Sequence, residues 1–429
     1  MSFDIRELTI ERLGGRGEGV ARGPSGPIFV PYALPGERVR AYVDGDRARM
    51  TEVIAPSPDR VPAFCPYFGT CGGCAVQTLA AEPYAVWKRG LVVTALEQAR
   101  VKGEVGPLLD AHGEGRRRAT FHARLTTNAA GRREVEVGFM QARAHSIVDI
   151  AQCPVLAPSM ASAVAAARAV SEALSGLNKP LDILLTATLE GLDLDLRGAG
   201  PLEAPLRQKL VGLAERIDLA RLSNHGDILI ERRPPRLLMG RAYVRPPAGA
   251  FLQATEAGEE TLARLVIEAV GPAKKVADLF CGVGTFALRL GEGREVLAID
   301  GEAGSIGALR RAAGETPGLQ GIHAETRDLY RRPLAGDELA RWEAVVFDPP
   351  RAGAEAQARA LAASAVPKVV AVSCSAGTFA RDAKILVDAG YGLDKVTPVD
   401  QFRHAPHVEI VGVFSRQKTK AARRGRLLG

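Results

Sequence analysis

Cysteine, tryptophan and long apolar runs are all scarce in this chain, whose 429 residues carry six cysteines and two tryptophans. No stretch approaches the ~20 consecutive apolar residues that a membrane-spanning helix needs. The opening residues, MSFDIRELTI, scatter charges among apolar side chains and so lack the continuous apolar core of a secretory signal. Together these absences predict a cytoplasmic protein with no membrane partner, in a compartment where disulfides are rare. Acidic residues are also in deficit: 49 Asp and Glu against 56 Lys and Arg leave a net charge of +7, which permits a polyanionic partner.

The few cysteines are bunched. The stretch CPYFGTCGGC holds Cys65, Cys71 and Cys74, with five and two residues between them. In a reducing compartment such a cluster reads as metal binding or catalysis before it reads as a disulfide. Arginine is bunched too: GRRRA at 115–119, GRRE at 131–134, ERRP at 231–234, and a tail, KTKAARRGRLLG at 418–429, without an apolar period. Knots of this kind suit phosphate contacts and predict RNA or DNA as the partner.

The chain divides into three segments and the tail. Residues 1–57 alternate short β-forming runs with glycine turns, as a small antiparallel barrel does, and APSPDRVP follows as a linker. Residues 58–245 mix helix-forming stretches, YAVWKRGLVVTALEQA and PSMASAVAAARAVSEALSG, with alternating strand-like pieces, which predicts a central α+β domain. Residues 246–417 alternate apolar β-type runs with helical stretches (KVADLF, EVLAID, EAVVFDPP, KVVAVSC, VEIVGVF), the pattern of a doubly wound, Rossmann-like parallel sheet. In such sheets ligands bind at the carboxyl ends of the strands.

Those ends carry the most distinctive residues. In DLFCGVGTFAL, Gly282 and Gly284 would let a ligand approach backbone nitrogens. The next strand ends in Asp300, placed for a ribose hydroxyl pair, and Asp328 and Asp348 follow after later strands. The glycine turn is shorter than a dinucleotide fingerprint, and Asp-Pro-Pro at a strand end does not belong to nicotinamide enzymes, so S-adenosylmethionine fits better. A further strand ends in Cys374. A cysteine there is commonly a small buried hydrophobe, yet beside a methyl donor a thiol has a specific use. Carbon-5 of uracil becomes nucleophilic enough for methylation once a thiolate has added to carbon-6. The adduct must then lose its carbon-5 proton to a base, and Glu409 in DQFRHAPHVEIVGVF is the candidate.

Taken in order, DLFCGVGTFAL, DPPR, SCSAGTFARD and HVE resemble the cofactor, substrate, nucleophile and base motifs of the RNA 5-methyluridine methyltransferases, over nearly the whole chain. The resemblance implies a class I methyltransferase domain and S-adenosylmethionine. It implies that Gln253, Phe280, Thr285, Asp300, Asp328 and Asp348 line the site for cofactor or substrate, with Cys374 as nucleophile and Glu409 as proton acceptor. It makes residues 3–55, with VPYALPGERV, similar to the family's OB-like TRAM barrel. Cys65, Cys71, Cys74 and Cys153 resemble the iron-sulfur site of the members that methylate 23S ribosomal RNA. Four thiolates suit zinc or a [4Fe-4S] cubane, and the long first gap favours the cubane. Cys281 would pack behind the cofactor loop. The chain departs from the family pattern at Ser375 and Ala376, where Asn-Pro is usual, and at RHAP before the last His-Val-Glu. A monomer acting on RNA is expected, with transfer RNA methylation or amino-group methylation as the alternatives.

Overall fold

Short β-forming runs broken by glycine turns close the first segment into a barrel. Its strands, Asp4–Leu13, Gly19–Gly23, Gly26–Val30, Arg38–Asp44 and Arg47–Ala55, run around it in the order first, second, third, fifth, fourth. Alternation does the sorting. In Arg38–Asp44 the side chains of Val39, Ala41 and Val43 turn inward to meet Leu8, Ile10 and Val30. Closure leaves few unpaired strand edges. The structure, a computed structural model, describes residues 4–127, 131–142 and 144–417; the basic tail lies outside the described residues.

The linker is fastened to the barrel by Arg60, which donates to the carboxylate of the wholly buried Glu37 and, at 2.9 Å, to the Tyr32 carbonyl. Beyond it, helix Ala81–Gln98 takes the barrel against its flank, where Trp87 Nε1 donates to the Gly14 carbonyl at 3.0 Å. The central sheet has seven strands, ordered Asp227–Glu231, Arg221–Asn224, Gly191–Arg197, Leu181–Thr188, Arg118–Thr127, Arg133–Met140, Ile147–Asp149. The alanine-rich helix expected from the sequence is there, Ala163–Ala173. Its small buried residues, Ala163, Ala166 and Ala167, share a core with Phe121, Ile183 and Leu194 of that sheet.

The last segment builds an eight-stranded sheet in the order Ile322–Thr326, Glu295–Asp300, Lys275–Leu279, Ala344–Phe347, Lys368–Ser373, Glu409–Arg416, Tyr391–Asp400, Leu109–Asp110. The first five are parallel. The chain runs outward in one direction from Lys275–Leu279 and in the other from Ala344–Phe347, so the topological switch point lies between these two strands. The expectation of an all-parallel sheet fails at Glu409–Arg416, which is antiparallel to both neighbours. The reversal has a chemical result: Ile410 pairs with Ser373, so the first residue of one strand, Glu409, and the residue after the other, Cys374, share an end of the sheet.

Residues 58–245 contribute to this sheet as well as to their own. Val92, Leu96, Val101 and Val105 are buried with Leu279, Phe347 and Val396 on one face. On the other, Leu237, Met239 and Val244 are buried with Leu262, Val276 and Ile306, and Leu109–Asp110 completes the sheet edge. Each large side chain among these adds roughly 1.5–3 kcal/mol by burial, and together they match the whole stability of an ordinary domain. A fragment of residues 246–417 should therefore lack a cooperative thermal transition, whereas the full chain should show one. A sharp, reversible melt of the fragment by circular dichroism would show that those contacts are dispensable.

Candidate active site

At the switch point the chain leaves Lys275–Leu279 through a turn that demands unusual backbone. Phe280 has φ +60°, Gly282 +54° and Gly284 +103°. A Cβ on Gly284 would stand 2.5 Å from Leu309 Cδ1, whereas one on Gly282 would meet nothing within 4 Å, so the turn is packed from behind and open in front. Asp300, ending the next strand, accepts from Gly282 N at 2.9 Å and Glu302 N at 2.8 Å. Thr285 lies in the same turn, its carbonyl held by Arg289 at 2.9 Å. Asp328 is different: it is exposed, and its Oδ1 accepts from Tyr330 N at 3.0 Å. That turn sets the Tyr330 ring 5.4 Å from Phe280, making an aromatic lip that the motifs did not disclose. Cys281 is buried behind the turn, as expected.

The second group lies under the thiol. Gln253 Nε2 donates to Asp348 Oδ2 at 3.0 Å, and Gln401 Nε2 donates to Gln253 Oε1 at 2.6 Å and to Glu409 Oε1 at 3.0 Å. Burial, opposed by the Gln253 hydrogen bond, pushes Asp348 up to about 7. Glu409 is pushed up to about 8, by burial first and by the Asp348 charge second. Cys374 is raised to about 11 by burial and then by Glu409 and Asp348. Asp348 thus acts on Glu409, and both act on Cys374, an arrangement typical of reactive sites. Asp278, which the motif analysis left without a role, is wholly buried beneath them, and burial followed by the Asp348 charge holds its pKa well above the carboxylate range.

Cys374 opens into a wide groove of about 1270 Å³ whose walls come from all three segments: Arg12 and Gly14 of the barrel, Trp87 and Leu91 of helix Ala81–Gln98, and Arg351 and His407 beside the thiol. Arg351 donates to the His407 ring at 2.7 Å, and burial, then Arg351, lowers His407 to about 4, so the ring is a neutral acceptor. His404 has a packing role: its backbone N–H donates to the Tyr84 hydroxyl oxygen at 2.9 Å, and its carbonyl accepts from Ala75 N at 2.8 Å. Ser375, at one family departure, caps helix Ala376–Asp388 by accepting from Thr378 N, a task that asparagine also performs.

Cys65, Cys71, Cys74 and Cys153 line a single cavity of about 380 Å³ together with Arg116, Arg118, Phe251, Gln253 and Phe402. Loop contacts bring them there: Gly72 N donates to the Met140 carbonyl at 2.9 Å, and Ala151 N donates to Tyr67 Oη at 2.8 Å. All four are free thiols. Burial raises Cys71, Cys74 and Cys153, the last to about 11, with added upward pushes from Cys65 on Cys71, from Cys71 and Cys65 on Cys74, and from all three on Cys153. Among the described residues no group of three or more His, Cys, Asp or Glu side chains is arranged to hold a single metal ion.

Two of the arginine knots, at 115–119 and 231–234, have partners within the protein. Arg117 is buried and bonded to Glu259, which Arg289 also meets at 3.0 Å. Arg116 and Arg118 lie over Phe402 and Phe251, at 5.7 Å each, inside the cysteine cavity. Arg232 and Arg233 share Asp218, both at 2.7 Å. Their partners are distant in sequence, so local clustering could not reveal them.

Residues 238–418 match the tRNA (Uracil-5-)-methyltransferase family. An uncharacterized RNA methyltransferase of Brucella suis is 45% identical over 410 residues, 96% of this chain and 98% of the relative. A 23S rRNA (uracil(1939)-C(5))-methyltransferase of Halomonas elongata is 35% identical over 94% of this chain and 88% of its own length. The chain belongs to the RNA (uracil-C5) methyltransferase family. A solved structure of a Pyrococcus abyssi tRNA (uracil-54, C5)-methyltransferase, in complex with S-adenosyl-L-homocysteine, has the same fold. Its TM-score is 0.72 at 24% identity, over 95% of this chain and 99% of that one. Among the described residues no helix is long and apolar enough to cross a membrane.

The exposed Arg12 of the barrel lines the groove, and the exposed Arg16 follows Gly15 of the same wall. Neutralising both should flatten the slope of log affinity against log salt by about 1.4 to 1.8 for RNA. Arg117→Ala should leave the slope unchanged while lowering the melting temperature. A slope that responds to Arg117 instead would restore the phosphate role of the knot.

Proposed function

We propose that this protein methylates carbon-5 of a uridine in 23S ribosomal RNA, in the cytoplasm and as a monomer. The observation that carries the chemistry is the meeting of Cys374 and Glu409 at one end of the sheet, with Glu409 Oε2 buried and without a hydrogen-bonding partner among the described residues. The turn at 280–285 with Asp300 fits S-adenosylmethionine: its glycine is open in front, its backbone is pre-bent, and Phe280 with Tyr330 offers faces for a base. S-adenosylmethionine supplies the methyl group. Cys374 Sγ, facing the groove, loses its proton to solvent as it adds to carbon-6, and the ring electrons move onto carbon-5. Once carbon-5 carries the methyl group, Glu409 Oε2 takes its proton; the electron pair restores the ring double bond as the carbon–sulfur bond breaks. Asp348, held by Gln253, lines the substrate end.

The ribosomal target is supported by the full-length Halomonas relative, while the archaeal tRNA enzyme supports the fold. The barrel at 1–57 would act as a TRAM-like RNA-binding domain, residues 58–245 as the central domain and residues 246–417 as the catalytic domain. Removing each catalytic group should fail differently. Cys374→Ala should give neither product nor adduct. Glu409→Gln should accumulate a denaturation-resistant protein–RNA species carrying label from the cofactor, and Cys374→Ala in the same chain should abolish it. Normal turnover by either single variant would rule the covalent route out, and labelled transfer RNA in place of 23S RNA would move the target.

The four cysteines fit a [4Fe-4S] cluster better than zinc. Zinc–sulfur bonds of ~2.3 Å would draw four sulfurs to within roughly 4 Å of each other around one point, whereas these thiols surround a cavity. Such a cluster would tie the loop at 65–74 to residue 153. Anaerobically purified protein should be brown and hold iron and sulfide in about equal amounts, and Cys153→Ser should lose both. A colourless protein with one zinc would overturn this assignment.

A further inference from the structure

We propose that Gln401 is a positioning residue for proton abstraction: it engages Glu409 Oε1 and thereby leaves Oε2 as the oxygen that meets the substrate. The inference rests on the reading of Glu409 as the base.

Gln401 is wholly buried, and its amide has only one possible orientation. Backbone N–H groups can only donate, and those of Ala254 and Thr255 reach Gln401 Oε1 at 2.9 and 3.4 Å. The NH₂ group must then face the other way, where it donates to Gln253 Oε1 and Glu409 Oε1. Gln253 is oriented in turn, and presents its own NH₂ to Asp348. Two backbone donors at 254–255 therefore set the direction of two amides and, through them, of two carboxyls. Glu409 Oε2 alone is left buried and unpartnered in this chain of bonds.

A donor to a carboxylate favours its ionised form, the form that a base needs. The other groups acting on Glu409 are Asp348, which raises it, Arg351 and Lys88, which lower it, and Cys374, the thiol whose pKa it raises. Among the influences opposing burial, the Gln401 bond comes first. Without it, the proton would be held to higher pH and the carboxyl would be free to rotate.

The test uses the full-length protein, 23S RNA and labelled S-adenosylmethionine. It follows methyl transfer into the covalent adduct and release of free methylated RNA separately, at pH values on both sides of the Glu409 value. Gln401→Met keeps the length and loses the donor. Gln401→Glu keeps the acceptor for Ala254 and Thr255 and puts a like charge where the donor was, so it reports the same effect should the methionine variant not fold. Because Gln401 also orients Gln253 and through it Asp348, both variants should lose some adduct formation, but release should slow by about tenfold or more beyond that loss and its midpoint should move to higher pH. Equal loss of transfer and release with an unmoved midpoint means that Gln401 is only structural, and overturns the proposal. Failure of Glu409→Gln to trap adduct would instead remove the base reading beneath it.

Discussion

One buried ammonium group holds the site's most important loop. Lys88 has no exposed side-chain surface; its Nζ lies 2.9 Å from Asp400 and donates to the carbonyls of Phe402, Ala405 and His407. An unpaired ammonium at that depth would cost several kcal/mol, so the ion pair and the ring of carbonyls must form together or not at all. The loop 401–408 has no regular structure of its own, yet it must present Gln401 and then Glu409 in fixed positions. Lys88 gives that loop a centre, and Tyr84, donating to Asp400 at 2.7 Å from the same helix, adds a second anchor.

The cysteine segment is fastened to the same loop. Ala75 and Val76 both donate to the His404 carbonyl, and His404 Nδ1 donates back to the Val76 carbonyl at 2.9 Å. Phe402 and Gln253 belong to the wall of the cysteine cavity, and Gln253 also belongs to the Asp348–Gln401–Glu409 chain of bonds. Cavity and reacting groups are therefore neighbours with shared walls. Whatever orders the four thiols also orders the ground on which the base stands.

Much of the site was legible because its chemistry is carried by short, local motifs. The glycine turn, Asp300, Asp348, Cys374 and Glu409 each follow or begin a strand that an apolar run announces, and the structure brings them to one end of one sheet. What escaped was whatever depends on distant pairing. Lys88 reads as an ordinary helix lysine until Asp400 is beside it, Arg117 as a phosphate binder until Glu259 is, and Gln401 as a loop residue until Ala254 and Thr255 fix its amide. The reversed last strand was hidden too, since an apolar run reads alike in either direction; only the register of Ile410 on Ser373 shows which end Glu409 occupies. Asp328 also follows a strand as expected, and the structure adds a local turn through which it positions Tyr330.

The edge strand Leu109–Asp110 and the helix before it have a consequence for the chain as it is made. Their partner, Tyr391–Asp400, is synthesised about 300 residues later, and the antiparallel strand that joins it to the sheet comes later still. At ordinary elongation rates that delay is roughly 15–60 s. During it the barrel and then the central sheet can form, while the apolar face of helix Ala81–Gln98, with Val92 and Leu96, has nothing to cover it. The nascent protein thus carries an uncovered sticky helix between two finished units until its final strand leaves the ribosome, a natural place for a chaperone to hold it.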